Sequence, residues 1–160
     1  MHSRRETLKM KVIAVGKIGR GPEKDLVDEY IKRLPRPTEI HEIEIKKPAK
    51  KPALRRKQYA EKILGAVPKD SILVVLDEKG KAATSRQLAH RIDTWASHGT
   101  SIITFVIGGG EGLHNSVYNK AHFVLSFGGL TWPHKLARAM LIEQLYRAWT
   151  ISTNHPYHRD

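Results

Sequence analysis

The sequence predicts an α/β fold: a mainly parallel sheet flanked by helices. Along the 160 residues, short apolar and β-branched runs alternate with longer segments whose apolar residues recur at helical spacing. Two of the short runs, residues 71–76 and 101–107, are apolar almost without interruption, which is typical of strands buried on both faces of a parallel sheet. Strands that alternate with helices in this way favour a single α/β domain.

The first half of the chain predicts a strand, a helix, a second strand and a second helix. Apolar periodicity places these four elements at residues 10–15, 23–34, 39–45 and 53–66. Gly16 ends the first strand, Pro35 ends the first helix, and Pro68 follows the second helix. A loop with three glycines joins the first strand to the first helix.

The second half predicts three more strands and three more helices. The strands are expected at residues 71–76, 101–107 and 123–126, and the helices at residues 85–97, 115–121 and 134–153. Thr84, with Gln87 three residues later, resembles a capping box and therefore marks the start of the first of these helices.

The chain is expected to form a single domain over residues 9–160. Residues 1–8 lack the apolar stretch of a signal peptide and indicate a flexible N-terminal extension. No apolar run approaches the roughly 18 residues needed to span a membrane. The absence of cysteine excludes disulfides and thiolate metal sites and is compatible with the cytoplasm. We therefore expect a cytoplasmic protein.

The strong positive charge favours a polyanionic partner. The formal net charge is +12, from 28 Lys and Arg residues against 16 Asp and Glu residues. Nucleic acid is the first candidate partner and an acidic membrane surface is the second. The alternative is that the charge serves only to keep the protein soluble. Clustering of the charge counts against solubility alone, because Glu61 is the one acid in a segment that contains Lys46, Lys47, Lys50, Lys51, Arg55, Arg56, Lys57 and Lys62. Such a face binds phosphates without reading sequence.

Two glycine-containing loops follow predicted strands and are candidates for a cofactor cradle. They cover residues 108–112 and 127–131. In open parallel sheets, ligands bind beyond the carboxyl ends of the strands, and glycine allows the backbone to approach them closely. The first loop has neither the spacing of a dinucleotide fingerprint nor the Lys-Ser/Thr ending of a P-loop. Tight packing explains one such loop equally well, whereas two loops at adjacent strand ends favour a cradle.

The C-terminal tail, residues 154–160, is dense in side chains that handle protons or bind anions. It carries His155, Tyr157, His158 and Arg159. Chain termini usually fray, so this density indicates a tail that closes over a substrate. Phosphate or base contact is favoured over zinc, because Pro156 separates the two histidines and a zinc site needs three or four ligands. We expect no metal.

The final helix predicts a homodimer. Its apolar residues cover more than one stripe: Leu136, Met140, Leu141, Ile142, Leu145, Tyr146, Ala148 and Trp149. A helix apolar over so wide an arc needs its own sheet and one further partner. A second copy of the chain is the simplest partner, since two-fold homodimers are the commonest oligomers. The alternative is a central helix within one subunit. Arg138 and Arg147 belong either to a solvated face or to a phosphate site.

Five motifs, taken in order, resemble the ribosomal RNA large-subunit methyltransferase H family, whose members are small SPOUT-superfamily enzymes. The motifs are VIGGGEGL at residues 106–113, LS at 125–126, LTWPH at 130–134, EQLYRA at 143–148 and HPYHR at 155–159. The resemblance covers almost the whole chain. The sequence departs from the family pattern at Gly110, where many relatives have proline, and in the loop at residues 126–130, which is longer than in some relatives.

The resemblance implies a SPOUT-type α/β trefoil knot in the C-terminal half and a homodimer that uses S-adenosylmethionine. The implied activity is methylation of N3 of a pseudouridine in 23S rRNA within the ribosome. The implied cofactor residues are Leu76, Gly108, Gly109, Leu125, Ser126, Phe127, Gly128, Gly129, Leu130 and Thr131. The residues implied to face the RNA and the target base, within one subunit or across the dimer interface, are His134, Arg138, His155, Tyr157, His158 and Arg159.

Methyl transfer from a sulfonium mainly requires alignment, so no catalytic dyad is expected. The N3–H must nevertheless lose its proton, and nearby positive charge stabilises the resulting anion. We expect Arg138, Arg159 and the tail histidines to supply that field, with no single assigned base. One rival function is a non-catalytic ribosome- or RNA-binding factor, which the glycine loops disfavour. A second rival is another nucleotide-binding enzyme that uses the loops for phosphates.

Overall fold

A computed structural model describes residues 7–160 as one α/β unit. Residues 1–6 of the predicted N-terminal extension lie outside the described residues. Leu8, which the prediction placed in that extension, is fully buried in the core. The folded domain therefore begins earlier than the sequence suggested.

The described residues form one parallel sheet of five strands with five helices. The strands are β1 (Lys9–Val15), β2 (Thr38–Ile43), β3 (Ile72–Ala82), β4 (Ile102–Ile107) and β5 (Phe123–Ser126). The helices are α1 (Pro22–Arg33), α2 (Pro52–Ala66), α3 (Ser85–Ser97), α4 (Asn115–Lys120) and α5 (His134–Ser152). The strand order is β2-β1-β4-β3-β5, and every pair is parallel. The predicted fold class is confirmed. Strand order does not by itself define a knot, so the trefoil knot stays a prediction.

Local sequence signals explain most of the element boundaries. Pro22 occupies the first turn of α1, where a missing N–H costs nothing. The predicted capping box is present at the start of α3: the Gln87 N–H donates to the Thr84 hydroxyl oxygen (3.1 Å), and the Thr84 N–H donates to the Gln87 side chain (2.9 Å). Both ends of α1 also match the helix dipole, with acidic residues in the first turn and basic residues in the last.

Strand β3 is longer than predicted. The sequence placed its end at Leu76, where the apolar run stops, but the strand continues to Ala82. Its register with β5 breaks between Leu76 and Lys81, and pairing then resumes. Gly80 lies inside this irregularity, where a Cβ atom would approach the Val124 carbonyl oxygen to 2.7 Å. The close approach of the two backbones requires glycine at this point.

The core lies on both faces of the sheet, since each central strand sends alternate side chains to opposite sides. Val12 and Phe105 belong to the cluster beneath α1, α3 and α5. Ile13 and Val106, their chain neighbours, belong to the cluster beneath α2 and α4. All four are fully buried. Burial of one such side chain contributes about 1.5–3 kcal/mol.

Helix α5 is largely covered by its own chain. It lies between α1 and α3 and buries Leu141, Ile142, Leu145 and Tyr146. Most of the apolar surface of α5 is therefore buried within one subunit, as the alternative of a central helix expects. No helix within residues 7–160 is long and apolar enough to cross a membrane.

Candidate cofactor site and C-terminal tail

The carboxyl ends of β4 and β5, together with the middle of β3 where its pairing with β5 breaks, surround a cleft of about 1070 Å³, which we call the cofactor cleft. Parallel strands end at the same edge of a sheet, so the loops that follow β4 and β5 converge there. Residues from both glycine-containing loops, 108–112 and 127–131, line the walls. The volume lies just above the range of about 300–1,000 Å³ that small-molecule sites occupy.

The structure brings most of the predicted cofactor residues together. The cofactor cleft is lined by Leu76, Gly108, Gly109, Leu125, Phe127, Gly128, Leu130 and Thr131. Ser126 is buried beside the cleft instead: its Oγ accepts from the Gly128 N–H (3.0 Å) and can donate to the carbonyl of Gly128 (2.9 Å) or Glu78 (3.1 Å). Ser126 therefore shapes the loop. Gly129 is exposed and does not line the cleft.

Glycine is required at two points of the cleft wall. A Cβ atom on Gly108 would lie 2.9 Å from Cγ of Leu113. Gly128 has φ +113°, a conformation that residues with a side chain rarely adopt. The two loops therefore present backbone rather than side chains to a ligand.

Two carboxylates that the sequence prediction missed lie in the same cleft, Asp77 and Glu78. Asp77 accepts hydrogen bonds from the Lys79 N–H (2.7 Å) and from the Tyr118 hydroxyl. Burial, together with that bond to Asp77, raises the pKa of the Tyr118 phenol, so it stays protonated. Glu78 accepts from the Thr131 hydroxyl (2.6 Å). Their position directly after the buried part of β3 was the available signal, since strand ends face the cleft.

The two carboxylates outnumber Lys79, the one lysine or arginine of residues 7–160 that lines the cleft, so acidic charge exceeds basic charge there. Negative charge beside a ligand attracts a cation and repels a polyphosphate. The arrangement therefore suits a cationic cofactor and weighs against the rival in which the glycine loops hold nucleotide phosphates.

An ion pair ties the first glycine loop to the basic segment at residues 46–62. Arg55 of α2 donates two hydrogen bonds to Glu111, one of them 2.8 Å from Nε to Oε2. The same guanidinium donates to the carbonyl of Ala49 (2.8 Å). The hydrogen bonds from Arg55 lower the pKa of Glu111. The cofactor cleft and the predicted phosphate-binding face are thus in direct contact.

The C-terminal tail is ordered against its own chain. The Tyr157 hydroxyl lies 2.9 Å from Oε1 of Glu143 and 2.9 Å from the Tyr30 hydroxyl. Its ring packs edge-on against Tyr146, with the centroids 4.8 Å apart. Burial, aided by the hydrogen bonds to Tyr30 and Glu143, raises the pKa of Tyr157. Tyr157 is therefore a neutral hydrogen-bond donor and not a base.

The rest of the tail also makes specific contacts. Nδ1 of His158 lies 3.1 Å from Nη1 of Arg147, and its Nε2 lies 3.4 Å from Asp160. Asp160 in turn accepts two hydrogen bonds from Arg86 of α3 (2.7 and 2.6 Å). The ring of His155 lies 6.0 Å from that of Trp149, with the histidine exposed. Arg159 is exposed as well.

Arg138, which the sequence predicted to face the RNA, is buried within its own chain. Arg138 is only 1% exposed, and its guanidinium donates to Glu42 and to the carbonyl of Gly16 (3.0 Å). Burial acts to raise the pKa of Glu42, but hydrogen bonds from the Ile18 N–H (2.7 Å) and from Arg138 outweigh it, so the pKa is lowered. Arg138 joins α5 to β2 and to the loop after β1.

The remaining predicted residues fall into two separate places. His134, at the start of α5, lines the cofactor cleft, whereas the tail residues His155, Tyr157, His158 and Arg159 do not. The tail instead contacts Tyr30, Glu143 and Arg147, which line a second cleft of about 710 Å³. The segment at residues 125–128 borders both clefts. Within one chain, tail and cofactor cleft therefore lie on opposite sides of this segment.

Residues 7–160 contain no group of three or more His, Asp or Glu side chains placed to hold a metal ion.

The chain is similar to known methyltransferases in both sequence and fold. Residues 8–158 match a protein-family model described as a predicted SPOUT methyltransferase. The chain is 43% identical over 152 residues to the ribosomal RNA large subunit methyltransferase H of Paramagnetospirillum magneticum, covering 95% of this chain and 99% of that protein. A protein of the same name from Rhodospirillum centenum gives the same values. A solved structure of a probable methylase family protein from Haemophilus influenzae shares the fold, with TM-score 0.58 and 14% identity over 98% of this chain and 72% of that one.

Proposed function

This chain belongs to the SPOUT methyltransferase family, and we propose that it transfers a methyl group from S-adenosylmethionine to N3 of a pseudouridine in 23S rRNA within the ribosome. The observation that carries the proposal is the likeness to large-subunit methyltransferase H proteins over 95% of the chain. The cofactor cleft, formed beyond the carboxyl ends of the parallel strands β4 and β5, supports it independently.

The cofactor cleft offers the groups that this cofactor needs. Leu76, Gly108 and Gly109 would hold the cofactor with the loop at residues 127–131, and Asp77 and Glu78 supply negative charge beside a sulfonium and an ammonium. When bound, S-adenosylmethionine supplies an activated methyl group. The task of the chain is then to align the nucleophilic nitrogen with that methyl and to exclude water.

We propose that the active enzyme is a homodimer in which the tail of one subunit approaches the cofactor cleft of the other. The separation of tail and cofactor cleft within one chain supports this arrangement. So does the second cleft, which Leu88, Leu136 and Met140 line with apolar surface. Leu130 and Trp132, 71% and 39% exposed, extend the apolar surface nearby. Apolar surface of this kind is typical of an interface between subunits.

The chemistry assigned to the tail follows from its contacts. Tyr157 stays protonated, but its one O–H donates to Glu143, so it can donate to a carbonyl of the base only by exchanging that bond. Arg159 is exposed and able to place positive charge next to the N3 anion, and His155 is exposed and can offer a ring nitrogen for a hydrogen bond. Arg138 is already neutralised by Glu42 and has no part in this field.

A methylation assay on ribosomes tests the proposal. The purified protein, methyl-labelled S-adenosylmethionine and ribosomes from cells that lack the protein are combined, and the rRNA is digested for mass spectrometry. We expect label on one pseudouridine of 23S rRNA. Unlabelled rRNA, together with calorimetric evidence that the protein binds the cofactor, would reject this substrate. Absence of cofactor binding would favour a non-catalytic RNA-binding factor. Free 23S rRNA in place of ribosomes tests the need for assembly.

A further inference from the structure

A second basic surface lies on the face of the sheet opposite α2. It is a groove of about 520 Å³ between α3 and the edge strand β5, which we call the α3 groove. The side chains that define its character are Lys81, Arg86, His90, Arg91, Trp95 and Phe123. No acidic residue lines the groove.

Arg91 is held by aromatic rings rather than by an acid. Its guanidinium carbon lies 4.0 Å from the ring centroid of Phe123 and 5.8 Å from that of Trp95. Within residues 7–160 it forms no ion pair. A guanidinium fixed by its flat face keeps its N–H edge available, and that edge matches the oxygens of a phosphate. Arg91 is thus an oriented cation without a counter-charge.

Arg86 is neutralised by the chain's last residue alone. Its guanidinium donates two hydrogen bonds to Asp160, and both side chains are largely exposed (56% and 72%). An exposed pair of this kind is weak, so a polyanion competes with it readily. Lys81 and His90 are exposed in the same groove.

The α3 groove lies beside the cofactor cleft along β5. Phe123 lines the groove, and the next two residues of the strand, Val124 and Leu125, line the cleft. Consecutive residues of a strand are only about 3.3 Å apart, so the two sites are neighbours. A polymer that delivers one nucleotide to the cofactor cleft can therefore contact the groove with the adjacent part of its backbone.

We propose that the α3 groove binds the phosphate backbone of the RNA strand next to the target nucleotide. Arg91 is the central phosphate contact, and Lys81 and Arg86 flank it, with Asp160 displaced from Arg86 by the incoming phosphate. Such contacts fix the position of the RNA without reading its sequence. This inference rests on the proposed function, because it takes RNA as the substrate.

The salt dependence of RNA binding tests the groove. The full-length triple variant Lys81→Gln/Arg86→Gln/Arg91→Gln is compared with the natural protein for binding to a 23S rRNA fragment between low and moderate salt. Each phosphate contact on a single strand contributes about −0.7 to the slope of log K against log salt, so we expect the triple variant to lose a slope of about 2. Its affinity at low salt should fall by about tenfold or more.

The matched control is Lys69→Gln. Lys69 is exposed and lies before the amino end of β3, at the opposite edge of the sheet from the cofactor cleft. We expect its RNA affinity and salt slope to match those of the natural protein. Calorimetry with S-adenosylmethionine, expected to be unchanged in both variants, shows that each is folded. A triple variant with normal affinity and slope would overturn the proposal.

A further variant tests the displacement of Asp160. Asp160→Asn removes the charge that competes for Arg86, so RNA binding should become about two- to threefold tighter; unchanged or weaker binding would contradict this step. The two proposals fail differently. If the natural protein methylates no RNA, the proposed function fails, whereas a normal Michaelis constant for RNA in an active triple variant rejects the groove alone.

Discussion

The cofactor cleft and the C-terminal tail are built in opposite ways. The cleft is lined largely by glycine-rich backbone, with side-chain hydrogen bonds at its wall from Tyr118 to Asp77 and from Thr131 to Glu78. The tail is held by side-chain hydrogen bonds that link Tyr157, His158 and Asp160 to residues of α5 and α3. The difference shows that the cleft is preorganised for a ligand, whereas catalytic use of the tail must share or break contacts that already exist.

The same comparison explains the role of Arg138. Among the predicted site residues it is the most deeply buried cation, and it anchors α5, the helix that connects cleft to tail. Substitutions in the anchor, the cleft and the tail should therefore have separable effects. Substitution of Arg138 should lower stability, substitutions in the cofactor cleft should lower cofactor affinity, and substitutions that loosen the tail should lower turnover.

The largest effect is expected from Arg138→Met. Removal of the buried guanidinium should cost about 3 kcal/mol, the low end for a buried ion pair, because the side chain of Glu42 is 32% exposed and water partly replaces the lost partner. Chemical denaturation measures the loss. The pKa of Glu42 is lowered in the folded state, so its contribution is present above the ordinary value of 4.5 and fades as the pH falls through the folded pKa. The gap between variant and natural protein should narrow in acid.

Lys135→Met on the same helix is the control for this change, with an expected effect within about 0.5 kcal/mol. A normal stability of Arg138→Met combined with lost methylation would show that Arg138 acts on the substrate and not as an anchor.

The next largest effect is expected from Gly108→Val. The added side chain meets Leu113 at 2.9 Å and projects into the cleft wall, so cofactor affinity should fall by more than about 100-fold, equivalent to about 2.7 kcal/mol. Calorimetry with S-adenosylmethionine measures it. Gly129 has open space around it and does not line the cleft, so the variant Gly129→Val should bind the cofactor with nearly unchanged affinity. Equal losses in both variants would count against the cleft as the binding site.

Glu143→Gln should loosen the tail and leave the cleft intact. Oε1 of Glu143 accepts from Tyr157 and from Nε of Arg147 (3.0 Å), and the neutral amide holds both donors less well. We expect turnover on ribosomes to fall about tenfold, a typical loss for one misplaced contact, with unchanged cofactor affinity. Glu29→Gln, in the exposed pair with Arg33 on α1, is the control. Unaltered turnover in Glu143→Gln would show that the tail takes no part in the reaction.

The smallest effect is expected from Glu111→Gln. Loss of the exposed pair with Arg55 should relax the first glycine loop and weaken cofactor binding about two- to threefold. The pKa of Glu111 is lowered, so the pair is intact above the ordinary carboxyl range and is lost as the pH falls through the folded value. The difference from the natural protein should shrink at high salt. Asp28→Asn, which breaks the exposed pair with Lys24, should change nothing at the cleft.

Sequence predicted the features whose causes are local. The capping box at Thr84, the end of α1 before Pro35 and the glycines after β4 all depend on residues a few positions apart. These signals were sufficient to place both glycine loops at one edge of the sheet, because parallel strands have a fixed direction.

The sequence could not predict features that depend on contacts between residues far apart along the chain. Arg138 and Glu42 are 96 positions apart, and Tyr157 and Tyr30 are 127 apart. Nothing in the spacing of Arg138 on α5 separates a buried anchor from a solvated cation. The extension of β3 past Leu76 likewise depends on its contact with β5 at Val124.

The tryptophans give the molecule an internal set of optical labels. The chain contains three, and each belongs to a different surface: Trp95 to the α3 groove, Trp132 to the cofactor cleft, and Trp149 to the helix that contacts His155 of the tail. Variants that keep one tryptophan at a time would turn fluorescence into a separate readout of RNA arrival, cofactor entry and tail movement. The order of these three events within one turnover could then be timed without any attached dye.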